Sequence, residues 1–158
     1  MNFKEYMNMI EGRRIDEATM SLQDMLDNFR KVFPYSDKEA HVSNFHVNSK
    51  DKDTMKCTGI VISESDPSKR YQVTATFHRD DIEQPFSIHN IGKVNCTCNA
   101  YRYNVSHPNF KNSTQAEPIQ SFSHIPNKIH NPKKESTVCK HLYSFLIFLY
   151  NKGLIKNN

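Results

Sequence analysis

Two short pairs, Cys96-Thr97-Cys98 and Cys139-Lys140-His141, constrain this chain more than any other feature. Four soft donors in two such pairs close on one cation only if the fold carries the second pair back to the first. Forty residues, 99 to 138, separate the pairs, so the return must be made by tertiary structure. The alternative fate of four cysteines is disulfide pairing. The first thirty residues lack the basic start, unbroken apolar stretch and small-residue cleavage site of a secretory signal. A cytoplasmic, reducing setting is therefore expected, where thiols and metal ligands prevail over disulfides.

The spacing sets the local geometry. In an extended strand, side chains alternate, so Cys96 and Cys98 share a face that Val94 continues. Inside a helix, residues two apart point about 200° from each other, so Cys139 and His141 can converge only at a helix entrance. There Ser136 or Thr137 offers a capping hydroxyl, and the helix end favours the thiolate of Cys139. A Cys₃His set is closed, with no position left for an activated water, which points to a structural Zn²⁺. Cys57 has no partner spacing and precedes an apolar strand, so it reads as a core residue. His107, His124 and His130 read as solvated loop histidines.

The rest of the chain is expected to form one α+β domain over residues 15–158, behind an N-terminal leader at 1–14. The leader carries Phe3, Tyr6, Met7 and Ile10 at helical spacing and ends at Gly12-Arg13-Arg14. From Asp16 to Phe33, Leu22, Met25, Leu26, Phe29, Val32 and Phe33 step by three and four, predicting a helix that Pro34 stops. The period then falls to two. Val42, Phe45 and Val47, then Ile60 to Ile62, then Tyr71, Val73, Ala75 and Phe77 predict three strands of an antiparallel meander, with Asp66-Pro67-Ser68 turning a hairpin over 56–79. A second hairpin is expected from Phe86–His89 and Lys93–Cys98, with Gly92 taking a positive φ in the turn. Residues 99–138 hold four of the seven prolines and no sustained period, the pattern of a long irregular insertion. Val138 to Asn151 is strongly apolar and closes at Gly153, predicting a C-terminal helix buried on most of its circumference. Its apolar residues suit a monomer core or an oligomer interface equally. Its longest apolar run, Leu142 to Tyr150, contains Ser144 and is well short of the roughly 20 residues that span a membrane.

A net charge of +4 and a pI near 8.8 suit an anionic partner without making the chain polybasic. Lys93, Arg102, Lys133, Lys134 and Lys140 flank the Cys/His pairs and could screen the anionic cluster or contact nucleic acid, with Lys111 and Lys128 further along the insertion. Tyr101 and Tyr103 would serve for stacking in that second role. Catalysis is not expected. His-Glu-x-x-His, the paired motif of zinc deaminases and any phosphate-cradling Gly-rich loop are missing from the sequence, which has only four glycines.

At Cys96-Thr-Cys98-Asn-Ala-Tyr101 and Cys139-Lys140-His141-Leu142 the chain resembles the SWIM zinc finger, over roughly residues 86–152. The resemblance implies a ββα zinc core that binds DNA or other proteins and has no enzymatic activity. The long gap, with Asn131-Pro132 before Cys-Lys-His-Leu, is similar to SWIM-like proteins of large tailed bacteriophages. The opening through Met9-Ile10-Glu11 is similar to short leaders that direct proteins into phage heads. The implied partners are virion components, other proteins or a second copy, with nucleic acid as the alternative. The implied setting is the host cytoplasm or the virion, with neither a membrane nor a small-molecule substrate involved.

Overall fold

The structure is a computed structural model that describes residues 20–33, 40–63, 66–104, 109, 116 and 137–157. The leader at 1–14 lies outside the described residues. Helix α1, Leu22–Val32, forms where the apolar stepping predicts, and it buries Leu22, Met25 and Phe29. It starts later than Asp16 because Ser21 is already a helix cap. Ser21 is extended, its hydroxyl accepts from the Asp24 amide at 3.1 Å, and the Asp24 carboxylate accepts from the Ser21 amide at 3.1 Å. Two further amides at the helix entrance are satisfied from outside it, Leu22 N–H by Asn90 C=O at 3.1 Å and Gln23 N–H by Ile88 C=O at 2.8 Å.

The four strands β1 (His41–Lys50), β2 (Thr54–Ile62), β3 (Arg70–His78) and β4 (Ile91–Cys96) make one antiparallel sheet in sequence order, the expected meander. In β2 burial alternates residue by residue, so Met55, Cys57, Gly59 and Val61 face the core with Val73, Ala75 and Phe77 of β3. Cys57 is fully buried, as its sequence context indicates. The turn between β2 and β3 is fixed by Asp66, whose carboxylate accepts from the Ser68 amide at 3.1 Å while its carbonyl accepts from Lys69 N–H at 2.9 Å.

The second hairpin is not formed as expected. The antiparallel partner of β4 is β3, paired from Val73↔Cys96 to His78↔Ile91, and Gly92 sits inside the strand. Gly92 has no turn to make. A Cβ there would lie 2.6 Å from Leu22 Cγ, so the missing side chain is the dent into which α1 seats. The apolar segment after Gln84 pairs instead with the chain's end. Ser87 bridges Lys156, Ile88 N–H donates to Lys156 C=O at 3.1 Å, and Lys156 N–H donates to Phe86 C=O at 2.8 Å. This pairing draws Ile155 fully into the core.

Helix α2, Asn99–Asn104, opens the region expected to be irregular throughout. Helix α3, Lys140–Asn151, packs on the same sheet face as α1 and buries Leu142, Phe145, Leu146 and Leu149 within the chain. Phe145 lies against Gly59, where a Cβ would come within 2.6 Å of its ring. Ser144 interrupts the apolar run because its hydroxyl accepts from the buried Ala40 amide at 2.7 Å. Gly153, at φ 77, ends α3 in the left-handed region where an L side chain is strained. The result is an α+β fold whose helices cover one face of the sheet. Among the described residues, no helix is long and apolar enough to cross a membrane.

Candidate metal centre

The core closes around Cys96, Cys98, Cys139 and His141. Their ligand atoms all lie within 4.8 Å of one another, and all four residues are buried. Cys96 is the last residue of β4, Cys98 immediately precedes α2, and Cys139 is the N-cap of α3, with His141 in its first turn. Four donors from three elements thus meet at one point. A tetrahedron around zinc with sulfur at about 2.3 Å has edges of about 3.8 Å. Cys139 Sγ and His141 Nδ1, 4.0 Å apart, are already near that spacing. The donor set fits a metal ion.

Each ligand is aimed by its surroundings. Past the end of β4 the ladder is prolonged by Thr97, whose N–H donates to Gln72 C=O at 3.2 Å and whose hydroxyl accepts from Gln72 N–H at 3.0 Å. The chain bends at Cys98, and its sulfur accepts from the Tyr101 amide at 3.3 Å, a cap on α2. Cys139 is extended at the mouth of α3, with no side-chain hydrogen bond closing the cap. Thr137 does not cap this helix: its hydroxyl donates to Met25 C=O of α1 at 3.1 Å. Ser136 lies outside the described residues. The His141 ring packs at 4.5 Å, tilted 40°, on Tyr71 of β3, which covers the most exposed of the four ligands, 8 %.

A buried polar clasp joins the two pairs. Tyr101, which the sequence offers for base stacking, is fully buried, with its hydroxyl donating to Val94 C=O at 2.8 Å. The Asn109 carboxamide donates to the Tyr101 oxygen at 3.1 Å and to Thr137 C=O at 2.9 Å, and accepts from Thr137 N–H at 3.1 Å. One side chain therefore ties the helix after Cys98 to the residue two before Cys139. No motif marks this side chain, and Asn109 stands out only once the fold is known. Burial and the neighbouring sulfurs hold the Tyr101 phenol un-ionised, against the opposing hydrogen bond from Asn109.

The electrostatics match a cation site. Three sulfurs this close cannot all ionise by themselves, because burial removes water and each thiolate repels the next. Hydrogen bonds from Cys139 and Cys96, with help from His141, hold the Cys98 thiol far below its ordinary value. Burial holds Cys96 and Cys139 well above theirs. The Cys96 thiol and, less, the Leu142 amide at the start of α3 pull Cys139 the other way, but burial prevails, so the helix entrance does not by itself make Cys139 a thiolate, contrary to what its position predicts. A divalent cation would bring all three to the thiolate form.

Of the basic residues offered by the sequence, the structure describes two side chains, Lys93 and Lys140. Lys93 lies on the opposite face of the sheet from Cys96, next to His78, and Lys140 is half-buried at the first position of α3. Lys111, Lys128, Lys133 and Lys134, with the side chains of Arg102 and Tyr103, lie outside the described residues. His107, His124 and His130 lie outside them too. Comparison with protein-family models, with curated proteins and with solved structures returned no match, so the likeness to the SWIM finger rests on the residues quoted above.

Proposed function

We propose that this chain is a non-enzymatic, zinc-binding structural or interaction module of the SWIM type, in which Zn²⁺ held by Cys96, Cys98, Cys139 and His141 fixes the strand end and the two helix entrances to one another. The observation that carries the reading is the closed, buried Cys₃His set. Three thiols and one imidazole are the donors zinc prefers, and four protein ligands leave no open position for a substrate or an activated water. The ion's contribution is cohesive. It cancels the repulsion among the thiolates and adds a cross-link over the long insertion, and its binding free energy counts as folding free energy. A protein of a tailed-phage particle, docking other virion components or a second copy, is the setting that the resemblance supports.

Metal analysis of protein purified without chelator tests the reading. It requires about one zinc per chain, and Cys139→Ser should lose the metal and melt well below the parent. A chain that carries no zinc, or a Cys139→Ser variant as stable as the parent, refutes it.

A further inference from the structure

The sheet face turned away from the helices carries a second, unrelated feature. The four strands contain no Asp or Glu at all, while Lys56 and Lys93 stand on that outer face. Register places them on either side of one residue: Lys56 pairs with Thr76, and Thr76 pairs with Lys93. Two inter-strand steps separate the lysine backbones by about 9.6 Å. Both side chains are half-buried, and neither has a carboxylate partner among the described residues. The charge of Lys93 is felt across the face, since it joins burial in holding His78 below its ordinary value. Two ammonium groups on either side of one hydroxyl form an arrangement that a single phosphate group can bridge with charge-assisted hydrogen bonds.

One step along the same face lies a half-open groove of ≈350 Å³. Thr58 follows Lys56 by two residues and Thr74 precedes Thr76 by two, so the groove adjoins the lysine pair. Its lining includes Asn44, His46, Thr58, Gln72 and Thr74 around Ile60, hydrogen-bonding groups with no carboxylate among them. A groove of this volume is in the range that holds small ligands, roughly 300–1,000 Å³. An anionic end beside an uncharged, hydrogen-bonding body describes one class of ligand. We propose that Lys56, Thr76 and Lys93 bind the phosphate group of a phosphate ester whose uncharged polar body occupies the adjoining groove. The lysines supply the charge, the Thr76 hydroxyl donates to a phosphate oxygen, and the amides and hydroxyls of the groove face the body. This site is independent of the metal centre on the other side of the sheet.

Titration of the zinc-loaded chain with adenosine 5′-monophosphate, adenosine, inorganic phosphate and an oligonucleotide of ten thymidines tests it. The monophosphate should bind, adenosine should fail, and inorganic phosphate should compete weakly. Lys56→Gln and Lys93→Gln should each weaken binding about tenfold, the scale of one charge-assisted contact, while Lys31→Gln on α1 leaves it unchanged. An oligonucleotide that binds more tightly than the monophosphate, with the same lysine dependence and a steep loss of affinity in salt, identifies a phosphodiester chain as the source of the phosphate. The glutamine variants should melt close to the parent temperature, so that lost binding is not lost folding. Failure of both the monophosphate and the oligonucleotide to bind at millimolar concentration overturns the proposal. So does binding that survives the double Lys56→Gln, Lys93→Gln variant.

Discussion

Asn109→Ala should destabilise the chain by about 3–5 kcal/mol, although Asn109 belongs to no motif and ligates nothing. The Asn109 side chain makes three buried hydrogen bonds, at 2.9 and 3.1 Å to the Thr137 backbone and 3.1 Å to the Tyr101 hydroxyl. At about 1 kcal/mol net for each bond the loss is about 3 kcal/mol. The substitution also strands the Thr137 N–H and C=O away from water, a penalty of about 1–3 kcal/mol per group that overlaps with the bond losses and lifts the total to at most about 5 kcal/mol. For a chain of this size each kcal/mol shifts the melting temperature by about 2–4 °C, so a drop of at least about 6 °C is expected. Because Tyr101 and Thr137 stand next to the two ligand pairs, chelator should extract the ion from the variant faster than from the parent. Urea unfolding of the zinc-loaded protein is the direct assay, with the midpoint falling and the slope unchanged. A midpoint loss equivalent to less than 1 kcal/mol would show that the clasp is not a structural element and that the ion alone holds the pairs together.

Three further outcomes follow from the geometry. Gly92→Ala places a methyl 2.6 Å from Leu22 Cγ and 2.8 Å from a Leu22 methyl, an overpacking that should cost about 1–3 kcal/mol. In a double-mutant cycle part of that cost should vanish in the Leu22→Ala background, and strict additivity would contradict the contact. Tyr71→Ala should speed zinc release to a chelator about tenfold while Tyr71→Phe stays near the parent, since the ring against His141 is the shield; equal rates in all three proteins refute that role. Burial pushes the Cys57 thiol up to about 11, so the folded chain retains a proton that the unfolded chain releases near pH 9. The sign follows from linkage: this contribution to stability is complete below about pH 9 and is lost as pH rises toward 11. Cys57→Ala should remove that alkaline component from a stability profile of the zinc-loaded protein, and an unchanged profile would show the thiol is not protected.

Elements whose pattern is local and one-sided are legible in the amino-acid order. Alternation in Thr54–Ile62 and Arg70–His78, stepping from Leu22 to Phe29, and the Gly153 stop place strands and helices because each pattern buries one face whatever its partner. The candidate metal site is legible in the same way, since Cys-x-Cys and Cys-x-His limit the backbone on either side to a strand end and helix entrances. Tertiary structure alone decided the pairings. Phe86–Ile88 is apolar enough for a strand beside β4, yet the second edge of β4 meets Ser21 and Ala116, that segment pairs with Lys156 instead, and Gly92 becomes a seat for Leu22. Tyr101 beside Cys98 has the residue type of a stacking platform, and only the return of Thr137 and Asn109 turns it inward as a buried strut. Lys93 is three residues before the ligand Cys96 in sequence, but the alternation of β4 puts it on the far side of the sheet. Contacts among residues far apart in the chain depend on which surfaces compete for burial, and that competition is settled only when the whole core is assembled.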